Sequence, residues 1–175
     1  MKTPLNRLLG TALAAAGLLL GCHAWAADVT VTFIDPEHYR DAAYREPFLS
    51  GALTPDVRRD LAGFLVELGG KRLPPTESLR IEVLDVDLAG RLRPTGSAAI
   101  DEIRVMRDFD WPRIKLRYTL SRGEQVLASG EDNVTDMDYL QTVNRYSPGD
   151  RLRYEKPMLE RWFRRTLEPA QAAAR

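Results

Sequence analysis

The chain has 175 residues, with 25 Lys and Arg against 25 Asp and Glu, so no strong net field draws it to nucleic acid or acidic lipid. A single cysteine, Cys22, excludes an internal disulfide and a cysteine-based metal site. With only two histidines, His23 and His38, the scope for imidazole catalysis is narrow.

Taken in order, the chain begins with an export signal. Lys2 and Arg7 precede an apolar run from Leu8 to Gly21 that is too short for a membrane span and ends in small residues. Two cleavage sites compete. Ala24-Trp25-Ala26 fits the small-residue rule and leaves a free periplasmic protein starting at Ala27, so that residues 1–26 are signal and 27–175 one folded domain. Leu19-Leu20-Gly21-Cys22 has the form of a lipobox, which would make Cys22 the lipidated first residue of an outer-membrane lipoprotein facing the periplasm. Membrane contact is expected only in that second case.

Val29, Val31 and Phe33 alternate with Thr30 and Thr32, the pattern of a strand. Asp35-Pro36 ends it, and the long connection from Glu37 to Leu53 has room for a short helix over 38–43. Thr54-Pro55 then supplies an N-cap and a first-turn proline, and Val57, Leu61, Phe64, Leu65 and Leu68 recur at helical spacing until Gly69-Gly70. In the next strand Leu79, Ile81 and Val83 share one phase, while Leu84, Val86 and Leu88 share the other. That slip predicts a β-bulge near Val83-Leu84. Residues 90–98 read as a loop, and Ile103 and Val105 as a short strand.

Ile114, Leu116, Tyr118 and Leu120 alternate with Arg113, Lys115, Arg117 and Thr119, a strand with one dry face and one wet one. Ser121-Arg122-Gly123-Glu124 is a turn signal, and Gln125 to Gly130 returns as the second arm of a hairpin. After a polar, turn-rich stretch, Met158, Leu159, Trp162, Phe163 and Leu167 line one side of a last helix that Pro169 is expected to stop. Two amphipathic helices cover only one face of a sheet this size. The expectation is therefore an α+β, two-layer sandwich with a mainly antiparallel sheet of about five strands.

Three segments then stand out together. Asp85-Val86-Asp87-Leu88-Ala89-Gly90 ends one strand, and Arg104-Val105-Met106-Arg107-Asp108 is followed by Trp111-Pro112-Arg113-Ile114. Leu152-Arg153-Tyr154-Glu155-Lys156 leads to Met158-Leu159 and Trp162-Phe163. The combination resembles the bacterial secreted family catalogued as domain of unknown function 3016, from Val29 to about Leu167. The resemblance implies an exported protein without an established activity and brings no catalytic residues with it. The Cys22 lipobox is not part of the family's pattern, which favours the free form.

Asp85 and Asp87 are the most tempting pair for chemistry. Carboxylates two residues apart on a strand could flank a water as in glycoside hydrolysis, yet side chains at that spacing run parallel, and pairing with Arg104, Arg107 or Arg113 is the plainer expectation. Asp132, Asp136 and Asp138 lack the glycine and closing glutamate of a calcium loop. There is no G-x-S-x-G, P-loop or G-x-G-x-x-G, so no cofactor is implied. Arg145, Arg151, Arg153, Lys156, Arg161, Arg164 and Arg165 read as a solvated basic face, with an anionic partner as the sharper option. The sequence thus describes a non-catalytic periplasmic binding or envelope-accessory module. Its candidate contact residues are Asp85, Asp87, Arg113, Lys115 and Arg117, its partner could be another envelope protein, and nucleic acid is not expected.

Overall fold

The computed structural model describes residues 27–44, 52–94 and 102–173. The signal segment and Cys22 lie outside the described residues. Strand β1 (Asp28–Phe33) is followed by a 3-10 turn at Pro36–His38, and helix α1 (Pro55–Arg72) crosses to strand β2 (Glu77–Asp87). β1 and β2 pair in parallel, with Val31 opposite Ile81.

The helix expected over 38–43 does not form. Asp35 takes a left-handed backbone (φ 49°) into the 3-10 turn, and the Asp41 backbone is then claimed by β2. Its N–H donates to the Val86 carbonyl (3.1 Å), and its carbonyl accepts from Leu88 N–H (2.9 Å). Extended pairing with a neighbouring strand outcompetes a weak local helix preference.

α1 begins with Thr54 as N-cap and Pro55 in the first turn, as expected, but runs past Gly69-Gly70 to Arg72. Gly69 serves close packing rather than termination: a Cβ there would lie 2.6 Å from Val29 Cγ2. The helix therefore sits directly on β1.

Strand β3 (Arg91–Pro94) occupies what the sequence suggested was loop, and it pairs with β4 (Glu102–Val105) in a separate two-stranded ribbon. The main sheet is completed by β5 (Arg113–Arg122) and β6 (Gln125–Thr135) in the order β1-β2-β5-β6. It has four strands rather than about five, and it is mixed, with β2-β5 and β5-β6 antiparallel. β4 does not join it: the strand is short and Ile103 is left exposed, so it has no apolar face to contribute. The expected bulge is present, as a register shift between Val83 and Asp85. β6 continues five residues beyond Gly130, since Val134 is buried opposite Ile114 while the polar Glu131 and Asn133 alternate outward.

Helix α2 (Glu155–Ala173) passes through Pro169 instead of stopping there. Its last turns are held from outside. Leu167 is buried, and Gln171 Nε2 donates to Glu77 Oε2 at 2.7 Å. That buried carboxylate also pairs with Arg122 Nη2 at 2.8 Å.

One core joins the layers: Leu61 and Leu65 of α1, Ile81 and Leu116 of the sheet, and Leu159 and Phe163 of α2. Each such side chain contributes about 1.5–3 kcal/mol by leaving water. The other face of the sheet carries Arg80, Glu82, Lys115 and Arg117 and is open to solvent. The architecture is α+β, two helices on a sheet, as the patterning implied.

The close approach at Gly69 generates a paired test. Gly69→Ala is expected to destabilise by about 1–3 kcal/mol, because a stiff β-branched Val29 must move. Gly63→Ala, in the same helix with open space around it, should stabilise by about 0.5–1 kcal/mol through helix propensity. Urea midpoints of the two variants, shifting in opposite directions, would verify the packing.

Candidate functional site

Asp85 and Asp87 follow the bulge, opposite Lys115 and Arg113 respectively. They do not converge on common space. Asp85 Oδ1 accepts the Arg40 backbone N–H at 3.0 Å, and its carboxylate lies 3.3 Å from Arg40 Nε. Asp87 is only 1% exposed and receives Arg91 through Nη1 (2.8 Å) and Nη2 (3.4 Å), with Arg113 Nε 3.4 Å away. The Arg113 guanidinium also lies 5.2 Å from the centre of the Trp111 ring.

On the open face, Lys115 and Arg117 are absorbed into a charge ladder. Lys115 Nζ meets Glu131 at 2.8 Å, and Arg117 bridges Glu82 (2.8 Å) and Glu131 (3.0 Å). Bonds from Lys115 and then Arg117 hold the Glu131 carboxyl below its usual range. Two of the three acids downstream are engaged as well: Asp132 accepts Trp162 Nε1 at 2.8 Å, and Asp136 pairs with Arg161, while Asp138 is exposed. His38 is a surface residue, its side chain 79% exposed beside Glu37.

Behind Asp87 lies a network that the sequence pattern did not point to. Arg104 of β4 forms a two-pronged pair with Asp41, Nη2 to Oδ1 at 2.7 Å and Nη1 to Oδ2 at 3.1 Å. The same guanidinium donates to the carbonyls of Ala43 (2.6 Å), Gly90 (3.1 Å) and Ala89 (3.3 Å). Arg91 Nη1 stands 3.5 Å from Asp41, and its Nε is 3.9 Å from Asp110. Gly90 turns the chain here with φ 75° while its N–H donates to the Asp110 carbonyl. The network thus fastens the β3-β4 ribbon and the loop at Asp41 to the end of β2.

On the far side of Arg104 a cleft of about 620 Å³ opens, within the range of small-molecule sites. Leu88, Ala89 and Met106 give it an apolar lining, and Tyr44, Thr54 and Asp56 form one rim. Opposite is the segment 148–155, which is set locally. Pro148-Gly149 turns the chain, Asp150 Oδ1 accepts Leu152 N–H (3.0 Å), and Arg153 N–H returns to the Asp150 carbonyl (3.2 Å).

Glu155, the first residue of α2, is 2% exposed and lines this cleft. Its Oε1 accepts Ala89 N–H at 2.8 Å, while Oε2 has no partner. Burial pushes its pKa up, against the opposing pull of the backbone N–H groups and Arg104. Arg104 Nε and Arg153 Nε are also buried without a partner. Arg151 pairs with Asp56 at 3.4 Å and covers the Tyr44 ring at 4.9 Å; Arg153 lies 5.0 Å from the centre of the Tyr154 ring. Tyr44 Oη donates to Asp60 (3.1 Å), and burial first, then Asp60, raises the phenol's pKa.

Among the described residues neither histidine nor cysteine lines the cleft, and the one hydroxyl besides the tyrosines, Thr54 Oγ1, is directed at the Ala42 carbonyl (3.5 Å). What the walls offer is recognition: N–H donors on fixed guanidinia and a buried carboxyl. The family model described as Protein of unknown function (DUF3016) matches residues 27–165. The chain belongs to that family. The matched span contains the whole charge network and every residue lining the cleft. No curated protein and no solved structure matches the chain.

Two outcomes check this geometry. Arg104→Ala should destabilise by about 3 kcal/mol, since it leaves the Asp41 carboxylate only its longer contact with Arg91, whereas Arg117→Ala on the open face should barely move the urea midpoint. For Glu155 the folded pKa lies above its ordinary 4.5, so the folded state holds the proton more tightly. Its contribution is therefore fully present below pH 4.5 and is lost as pH rises toward the folded pKa, at a slope of at most about 1.4 kcal/mol per pH unit. Glu155→Gln should remove that fall from the pH profile of stability; an unchanged profile would show that the carboxyl is not protonated in the folded protein.

Proposed function

We propose that this protein is a non-catalytic binding module of the bacterial cell envelope, exported to the periplasm with loss of residues 1–26, and that it binds its ligand in the cleft beside Arg104. One observation carries the reading. Five buried side-chain atoms lack a hydrogen-bond partner among the described residues, and three of them, on Arg104, Arg153 and Glu155, belong to residues lining this cleft. Native proteins leave few such groups unsatisfied, and here three fall on residues that line one concavity, which supports a binding role for it.

The sheet face is a poorer contact surface, because Lys115 and Arg117 already meet Glu82 and Glu131. The hydrolase reading loses its basis in the same way. Asp85 is held by Arg40 and Asp87 by Arg91 and Arg113, so neither carboxylate is presented to a substrate. The export step rests on Lys2, Arg7 and the apolar run to Gly21; no helix among the described residues is long and apolar enough to cross a membrane. Leu19-Leu20-Gly21-Cys22 supports a second form, anchored by a lipidated Cys22 and assisting an envelope complex.

Mass spectrometry of the protein from soluble periplasm and from membranes separates these forms. The expected result is a chain starting at Ala27 in the soluble fraction, with a native mass that exceeds the denatured mass by one small molecule. A diacylated Cys22 in the membrane fraction would replace the free form with the lipoprotein. Equal native and denatured masses, with one stoichiometric protein partner in a pull-down, would overturn the cleft in favour of an accessory subunit.

A further inference from the structure

Resting on the cleft as the binding site, we propose that its ligand is a small amphipathic anion, with a carboxylate or phosphate-monoester head held by Arg153 and Arg104 and an apolar body lying on Leu88, Ala89 and Met106. The charge balance of the walls points to an anion. Arg104 is matched by Asp41, Arg151 by Asp56, and Asp150 by Lys156. Arg153 alone among the lining charges has no carboxylate within ion-pair distance among the described residues; its guanidinium is set only against the Tyr154 ring. One uncompensated guanidinium on a concave wall is a place for one negative charge.

The hydrogen-bonding character agrees. The unpartnered atoms on Arg104 and Arg153 are N–H donors and can accept nothing. Glu155 is fully enclosed, and no cation stands within ion-pair distance of it among the described residues. Burial raises its pKa, and its unpartnered Oε2 is itself enclosed, so the charge this wall presents to the cleft is that of Arg153. Unpartnered N–H donors on two arginines that line one cleft favour an oxyanion over an ammonium. A cationic ligand would meet Arg153, which has no carboxylate within ion-pair distance among the described residues.

The remaining lining sets the body. Leu88 and Ala89 are 2% exposed, Met106 lies over Gly90, and Tyr44, Tyr154 and Pro148 complete walls suited to apolar contact. A space of about 620 Å³ suits a single small molecule and not a polymer. Three of the basic side chains on the surface near the C-terminus are already partnered: Arg145 by Glu160, Lys156 by Asp150 and Arg161 by Asp136.

Calorimetric titration of the purified protein with octanoate, octyl phosphate, octanol and octylammonium at low salt tests the proposal. Octanoate or octyl phosphate should bind one per chain, and the tighter of the two assigns the head as carboxylate or phosphate. Octanol should bind roughly tenfold more weakly, the effect of losing one charge-assisted bond. Arg153→Ala should bring the anions down to the octanol level, with octanol still bound as the sign of a folded cleft. Glu155→Gln, at an enclosed side chain, should retain anion binding. Equal affinity for octanol and the anions, abolished in each case by the cleft-filling Met106→Trp, would overturn the anionic head and leave the cleft as the binding site. Tighter binding of octylammonium would overturn the head-group assignment with its sign. If none of the four probes binds, the anion assignment and the cleft reading both fall.

Discussion

The Arg104–Asp41 pair is the interaction on which the functional end of this molecule depends. A guanidinium taken out of water must recover its hydration from fixed partners, and Arg104 does so with both oxygens of one carboxylate and three backbone carbonyls. Those partners come from residues 41–43 and 89–90, while Arg104 itself arrives on β4. Three segments distant in sequence are thereby brought to one point. Arg91 extends the same network to Asp87 and Asp110, so the two-stranded ribbon is tied to the main sheet by charge although it shares no strand pairing with it.

Helix α2 completes the cleft because it is fixed to β2 at both ends. Near its start Glu155 accepts the Ala89 N–H just beyond the strand, and near its finish Gln171 reaches Glu77 at the strand's beginning. Between these anchors Met158, Leu159, Trp162 and Phe163 fill the space above the sheet. The rim 148–155 cannot drift from the apolar floor without breaking one of these links. A cleft whose walls are set by a buried salt-bridged network and a doubly anchored helix is pre-organised, and pre-organisation lowers the entropic cost of holding a ligand.

Periodicity in the sequence was sufficient wherever burial follows a regular pattern. The alternation of Ile114, Leu116, Tyr118 and Leu120 and the stripe Val57, Leu61, Leu65 and Leu68 correspond to buried faces of β5 and α1. The phase slip at Val83-Leu84 marks a real shift of register. Legibility failed where segments are held by non-local contacts. β3, rich in arginine and ending in proline, has no strand pattern of its own and exists because β4 lies beside it. Pro169 reads as a stop, yet the helix continues past it because Gln171 is secured by Glu77.

Asp85 and Asp87 stood out by spacing, whereas Asp41, Asp110 and Glu155 sit in stretches with no period and drew no attention, although three segments of charge meet there. The three segments noticed for their family resemblance did point there, since Leu88, Ala89, Arg104, Met106, Arg153 and Glu155 all line the cleft. By itself the sequence determined the α+β class, the apolar faces of both helices and the central strands, and the family, since these follow from local periodicity and short motifs. Tertiary structure alone decided which charges became buried partners and which stayed without one. Those outcomes depend on distances between residues 41, 104 and 155, which no local pattern encodes.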